Sequence, residues 1–312
     1  MSDIAFVMAV GKGKTLDKSY YLAKSIKQVY EDAEIYAYVA EEEKPEISQG
    51  RLSKIGNYAN LIYGDIPMKE YIFTVKHRAL ILAGEMTNKK YLVCLDSDML
   101  MMNELSLPKG EMFVCPVDIG NTSWGREEAR PLWEKLYKKI GAEMPKNKLL
   151  SLIDKYAMFP YYNGGFVITS DHKFGRKWLD LTREIFKILP DMDSYMKGYS
   201  QQTKRRRLFT KIPYSHWTEQ VTLTLLASKH KAKILPYEYD WPMNTTWRCP
   251  TNVKIMHYHD MRNLLKIHKK SVVNRLKEIG IYDELKYSTP FEYPRMIGYQ
   301  VLRGMKVRLG KF

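Results

Sequence analysis

In "KKYLVCLDSDMLMM" (89–102), an apolar run ends on two aspartates separated by one serine, and apolar residues then resume. Side chains alternate along an extended backbone, so Asp96 and Asp98 would project the same way from the end of a buried strand. Paired hard oxygen donors in that place suit Mg²⁺ or Mn²⁺. A divalent ion there can clamp a diphosphate and neutralise the charge that builds on it as a leaving group. Asp also serves in turns and helix N-caps. The apolar runs on both sides weight the metal over the turn.

Other stretches carry weaker chemistry. "HYHD" (257–260) offers two imidazoles, and on a continuing strand His257 and His259 would share a side, either one able to complete a metal site. A nitrogen donor beside carboxylates tilts the metal from Mg²⁺ toward Mn²⁺. "YYNGG" (161–165) pairs the Asn163 amide with two glycines, read as close backbone approach by a ligand or as a tight turn. "GKGKT" (11–15) is no P-loop, because Met8 stands where that pattern needs glycine. It is a nucleotide-facing loop or an ordinary turn. Lys204-Arg205-Arg206-Arg207 reads as a solvated loop or a phosphate contact. No aromatic platform or nucleic-acid motif accompanies it, which ranks nucleic acid low.

These residues need elements to hold them. "IAFVMAV" (4–10), "EIYAYVA" (34–40), "YLVCL" (91–95) and "EMFVCPVD" (111–118) read as strands, with helical spacing at 19–30 and 75–86 between them. That βαβ rhythm predicts a parallel or mixed sheet flanked by helices, with ligands beyond the carboxyl ends of its strands. "PYYNGGFVITS" (160–170) reads as a loop entering a strand. Helices follow at 173–189 and 218–230, and a strand at 253–260. No repeat or low-complexity linker divides the chain. The expected organisation is one α/β domain over 1–265 with a basic, partly helical extension over 266–312.

Composition bounds the partners. With 312 residues, 45% of them hydrophobic, the chain can build a substantial core. No apolar run approaches the roughly 20 residues a membrane-spanning helix needs. "MSDIAFVMAVGKGKT" has no basic leader before its apolar stretch and reads as a first strand. Cys94, Cys115 and Cys249 form no CxxC pair and suit reduced thiols in a cytoplasmic protein. A net charge of +15 calls for an anionic partner: phosphorylated ligand, anionic membrane or nucleic acid.

In this order, the stations "IAFVMAV", the helix with Lys76, "YLVCLDSDML", "FVCPVD", "YYNGGFVIT", "TEQVTLT" and "IMHYHD" resemble those of GT-A-fold glycosyltransferases, closest to the family 8 (glycogenin-like and galactosyltransferase-like) enzymes. The resemblance implies a Rossmann-like mixed sheet and transfer of a sugar from a nucleotide diphosphate sugar, UDP foremost, to a hydroxyl acceptor with retention. It implies Mn²⁺, with Mg²⁺ as the alternative, on Asp96, Asp98 and His257. Donor contacts would fall on Ala9, Val10, Gly11, Lys76, Ser97, Asp118, Asn163, Gly164, Gly165 and Lys266. Lys76, Glu219 and Gln220 would be catalytic, Glu219-Gln220 standing where the family has Asp-Gln.

Two other functions fit the same chain less well. A sugar-nucleotide nucleotidyltransferase would carry a fuller Gly-rich signature after its first strand. A non-catalytic basic protein binding nucleic acid or membrane would leave Asp96 and Asp98 dispensable. In "PRMIGYQVLRGMKVRLGKF" (294–312), Ile297, Val301, Met305 and Leu309 recur at steps of four among basic residues. That stripe predicts a helix lying on an anionic membrane surface or packed on protein. In the first case the acceptor could be lipid-linked; a glycan or a protein hydroxyl are the other acceptors considered.

Overall fold

A computed structural model describes residues 3–120, 124–189, 214–243, 251–265 and 270–284. Lys266, the 204–207 basic run, Cys249 and the 294–312 stripe lie outside them. The described chain begins β1 (Ile4–Val10), α1 (Lys14–Val29), β2 (Glu34–Ala40), α2 (Gln49–Gly56), β3 (Asn60–Gly64), α3 (Val75–Met86), β4 (Tyr91–Leu95), β5 (Met99–Met101) and β6 (Met112–Pro116). It continues α4 (Arg130–Lys139), β7 (Leu149–Leu150), β8 (Ala157–Met158), β9 (Tyr162–Thr169), α5 (Phe174–Phe186) and α6 (Thr218–Lys229). It closes with β10 (Lys233–Ile234), β11 (Trp241–Pro242), β12 (Ile255–His257), α7 (Met261–Leu265) and α8 (Lys270–Glu278).

Seven strands form one mixed sheet in the order β10-β6-β9-β4-β1-β2-β3. β1 runs parallel to β2 and β4, whereas β9 is antiparallel to both β4 and β6. The period of two in β1 divides its side chains between two cores. Ile4, Phe6, Met8 and Val10 pack with α1 and α2, while Ala5 and Val7 face the layer of α3, α5 and α6. β2 and β4 alternate in the same way, which is why their sequences are apolar throughout. The expected helix-covered mixed α/β sheet is therefore present.

A second, three-stranded sheet, β11-β12-β5, stands beside the first. Its β5 continues directly from β4, and its β12 pairs antiparallel with β5, placing His257 opposite Met99. Val272, Leu276, Ile279 and Ile281 pack against this sheet's Met256 and against Trp241 and Tyr258. The stretch from 270 to 284 is thus docked on the body of the protein.

Four strand ends converge at one edge of the large sheet. Met8 pairs with Leu95, so Ala9 and Val10, still paired with β2, and Gly11 after them run on past the end of β4 beside Asp96. Leu95 pairs with Phe166, which brings the start of β9 to the same edge, and Pro116 pairs with Tyr162, which delivers Asp118.

Candidate active site

Asp96 and Asp98 do not lie within a strand. β4 stops at Leu95, and residues 97 and 98 turn the chain into β5. Both aspartates nonetheless line one cavity of about 490 Å³, together with Asp118, Asn163, Glu219, Gln220, His257 and His259. The reason is the strand crossing from the large sheet to the small one, which leaves the turn between them open to the cavity.

Asp98 faces the small sheet. Its Oδ1 is 3.4 Å from His257 Nε2, and Lys18 Nζ approaches its Oδ2 at 3.4 Å. Burial works against its charge, but the His257 hydrogen bond and the nearby His257, Lys18 and His259 charges outweigh it and hold Asp98 well below the usual carboxylate range. On its other side His257 Nδ1 is 3.1 Å from Asp240 Oδ1 and 3.8 Å from Asp118 Oδ2. Burial disfavours the imidazolium, yet Asp240 and Asp98 raise the His257 pKa well above its ordinary value. Asp240 is wholly buried and accepts the Asn163 amide at 2.6 Å, so Asn163 orients this carboxylate and caps the Gly165 N–H with its own carbonyl at 3.0 Å.

β12 ends at His257, short of the strand expected to run to 260. His259 instead takes a left-handed backbone, φ 57°, a conformation that costs a non-glycine residue of order 1–3 kcal/mol. That turn brings the two rings to a centroid distance of 3.8 Å and His259 Nε2 to 2.6 Å from Asp118 Oδ2. Lys18 Nζ holds the turn by donating to the His259 carbonyl at 2.6 Å. The 2.6 Å approach lacks the direction of a hydrogen bond, and both buried Asp118 oxygens are without a hydrogen-bond partner. Burial foremost raises the Asp118 pKa.

Among the described residues, two overlapping groups could therefore hold a cation: Asp98, His257 and His259, and Asp118, Asp240 and His257. Carboxylates with imidazoles, and orphaned Asp118 oxygens among them, are a donor set that fits Mn²⁺ or Zn²⁺ better than Mg²⁺. Asp96 stands apart from both groups, because its Oδ1 takes Lys76 Nζ at 2.7 Å.

Lys76, the second residue of α3, is buried and also donates to the Gly164 carbonyl and to Glu219 Oε1, each at 3.1 Å. Burial alone would lower its pKa; Asp96 and Glu219 reverse that and keep it charged. Glu219, the second residue of α6, is pushed up to about 7 by burial, against the pull of Lys76. Gly164 and Gly165 are not a loop before a strand but lie inside β9. A Cβ on Gly164 would come within 2.8 Å of Glu219 Oε1, and one on Gly165 within 2.6 Å of Asp96 Oδ2. The absent side chains make room for the two carboxylates.

Of the expected donor residues, Ala9, Val10 and Gly11 sit at the end of β1, and Ser97 lies in the 96–98 turn, its carbonyl accepting the Tyr258 hydroxyl at 3.3 Å. Lys266 is outside the described residues. Sequence reasoning missed Lys18, Asp240 and the cavity-lining Phe73, His216 and Trp217. Lys18 carried no signal beyond its place in the first helix. Asp240 precedes "WP" in a region without periodicity.

Residues 6–231 match the model of the Rhodobacterales glycosyltransferase domain family. The chain belongs to that family. No curated protein matches it significantly. As a glycosyltransferase it would use an activated sugar donor and an acceptor. The family match ends at residue 231, so Asp240, His257 and His259 come from beyond it. Among the described residues no helix is long and apolar enough to cross a membrane.

Proposed function

We propose that this glycosyltransferase is a metal-dependent, GT-A-type enzyme of the family 8 kind, moving a sugar from a nucleotide diphosphate sugar, UDP foremost, to a hydroxyl acceptor with retention. The observation that carries this is the juxtaposition, in one cavity, of the Asp98–His257 pair with Asp96 and Glu219, both held from behind by the buried Lys76. Asp98 and His257 would hold the metal, with Asp96 on its Lys76 side and His259 and Asp118 adjacent. Bound there, Mn²⁺ would supply the positive charge that neutralises the departing diphosphate.

The chain's own residues divide the remaining work. Lys76, clamped by Asp96, Glu219 and the Gly164 carbonyl, is a fixed cation that needs no rearrangement as charge develops on the leaving group. The carbonyls and N–H groups beyond Val10 would face the nucleotide. Glu219 is buried and engaged by Lys76 at both oxygens, which suits a hydrogen-bonding role better than a free nucleophile. Same-face attack assisted by the leaving phosphate is therefore favoured over a covalent intermediate. Phosphorylated donors also account for part of the chain's need for an anionic partner.

The test is to incubate the protein with UDP-, GDP- and dTDP-sugars, with and without Mn²⁺, and to measure released nucleoside diphosphate. Slow hydrolysis of at least one donor should require the metal and fall about 100-fold or more in Asp98→Asn, in line with the loss of a charged group from a transition-state site. Release of pyrophosphate from a sugar phosphate and nucleoside triphosphate would instead identify a nucleotidyltransferase. Metal-independent release unaffected by Asp98→Asn would reject the site.

A further inference from the structure

The cavity has a second face that the donor reading leaves unused. Phe73, His216 and Trp217 line it, all partly exposed, with Ile119 and Ile153 also on its wall. Phe73 lies in the short turn leading into α3, three residues before Lys76. His216 lies in the turn leading into α6, three residues before Glu219. The two helix starts stand side by side, so each aromatic residue sits about one turn outward of a buried charge. Inside, Lys76 meets Glu219 at 3.1 Å; outside, the Phe73 and His216 rings meet edge to face, with centroids 5.0 Å apart. Trp217 extends this pair, its ring 4.9 Å from His216.

The aromatic face is braced from behind. The buried Tyr71 hydroxyl donates to the His216 carbonyl at 2.9 Å and accepts the Glu219 N–H at 3.0 Å. The Tyr71 ring packs on Phe73 at 5.3 Å and on Phe186 at 5.0 Å. One side chain thus fixes both helix starts, and the three rings are held before any ligand arrives. Burial lowers the His216 pKa, so its ring is neutral and adds no charge to the face.

We propose that this face is the acceptor subsite and that the acceptor is a neutral saccharide. The inference rests on the donor reading above. A pyranose has an apolar C–H face for the rings and a polar rim for the cavity's carboxylates and amides. Phe73, Trp217, Ile119 and Ile153 put no cation on this face for an anionic acceptor to pair with. The position, one turn outward of Lys76 and Glu219, would bring the stacked sugar's hydroxyl towards the donor site proposed above. In the transfer, that hydroxyl oxygen bonds the donor's anomeric carbon, the bond from that carbon to the diphosphate oxygen breaks, and the hydroxyl proton passes to the departing phosphate.

The experiment uses the full chain with Mn²⁺, UDP and a panel of methyl hexopyranosides, lactose and maltose. Binding is read by saturation-transfer NMR, and donor turnover by released nucleoside diphosphate. At least one saccharide should show saturation concentrated on the ring protons of one face and should accelerate donor turnover at least tenfold. Trp217→Leu and Phe73→Leu should each cut that stimulation tenfold or more by raising the saccharide's half-saturating concentration, and Trp217→Phe should restore most of it. A UDP–Mn²⁺ melting shift in each variant certifies that it is folded. If UDP and Mn²⁺ bind but no saccharide on the panel binds or stimulates, or if Trp217→Leu responds like the parent, the acceptor inference is overturned while the donor reading stands. Stimulation by a hydroxyl-bearing peptide or a lipid glycoside alone would overturn it equally. If UDP and Mn²⁺ fail to bind the parent chain, the donor reading itself has failed.

Discussion

His257 is the residue on which both cation-binding groups depend, because its two ring nitrogens address different carboxylates: Nε2 faces Asp98, and Nδ1 faces Asp240 and Asp118. His259 reaches only one group and stands at the rim, 34% exposed. His257→Ala should therefore weaken the Mn²⁺ dependence of donor hydrolysis tenfold or more beyond His259→Ala, read as the Mn²⁺ concentration for half-maximal rate. The reverse order would shift the site toward the rim. His77 gives a residue-scale prediction about stability. It is fully buried against Trp178, centroids 4.3 Å apart, and neither ring nitrogen has a hydrogen-bond partner. Burial first, then the Lys76 and Arg183 charges, lowers its pKa well below the ordinary value. In the unfolded chain the ring protonates near pH 6.5, while in the folded chain it stays neutral. The unfolded state thus takes up the extra proton as pH falls, and the stability present above that pH is lost below it. Wild type should lose about 1.4 kcal/mol more than His77→Phe between pH 7.5 and 5.5. Urea midpoints at the two pH values measure it, and parallel losses would mean that His77 does not titrate as its burial requires.

Elements decided which parts of the site could be read from sequence. The period of two in β1, β2 and β4 and the βαβ rhythm made the sheet legible, and with it the edge where the candidate site lies. The turn at 96–98 was not legible, because the extended backbone expected for the two aspartates ends at Leu95 and nothing in the apolar residues after Asp98 marks them as the start of a second sheet. The short β12 was misjudged for a related reason: Tyr258 is apolar and fully buried, yet it packs into the small-sheet core beyond the strand's end. Positive φ at His259 has no sequence signal in a histidine. The paired glycines were seen, but what crowds them is two carboxylates from other elements, information that exists only in three dimensions. Helix contacts give a test of the same kind. Gly84 in α3 lies against the chain before α5, and a Cβ there would come within 2.5 Å of the His172 carbonyl oxygen. Helix propensity favours alanine over glycine by roughly 0.5–1 kcal/mol. Overpacking against backbone costs about 1–3 kcal/mol and should win. Gly84→Ala should lower stability, whereas Gly50→Ala in α2, with open space around it, should leave it unchanged or raise it. Chemical denaturation of both variants checks the contrast, and a stabilised Gly84→Ala would mean that α3 and α5 slide apart at little cost.

At the scale of the molecule, the family match runs from β1 through α6, while the chain after it supplies Asp240, His257 and His259. Catalysis on the proposed mechanism thus needs a family-defining frame and a later segment folded onto it. The remaining question at this scale is the charge of +15. A bound diphosphate sugar accounts for only part of it. Residues 285–312 hold six Lys and Arg against a single acidic residue, Glu292, so about a third of the net charge falls in under a tenth of the chain. These residues lie outside the described ones, and the expectation for them rests on sequence alone. Each basic residue near an anionic bilayer contributes about 1 kcal/mol, an attraction that fades over a Debye length of about 8 Å at physiological salt. The full chain should therefore sediment with vesicles rich in anionic phospholipid at low salt, sediment little with neutral ones, and be released at about 0.5 M salt as screening shortens the interaction. A chain ending at Glu292 loses Arg295, Arg303, Lys306, Arg308 and Lys311 together with the apolar stripe between them. Its apparent affinity for the same vesicles should fall at least tenfold. Equal sedimentation of the two chains would move the membrane contact elsewhere on the basic surface. No sedimentation of the full chain at low salt would remove it, leaving the excess charge to the donor's phosphates.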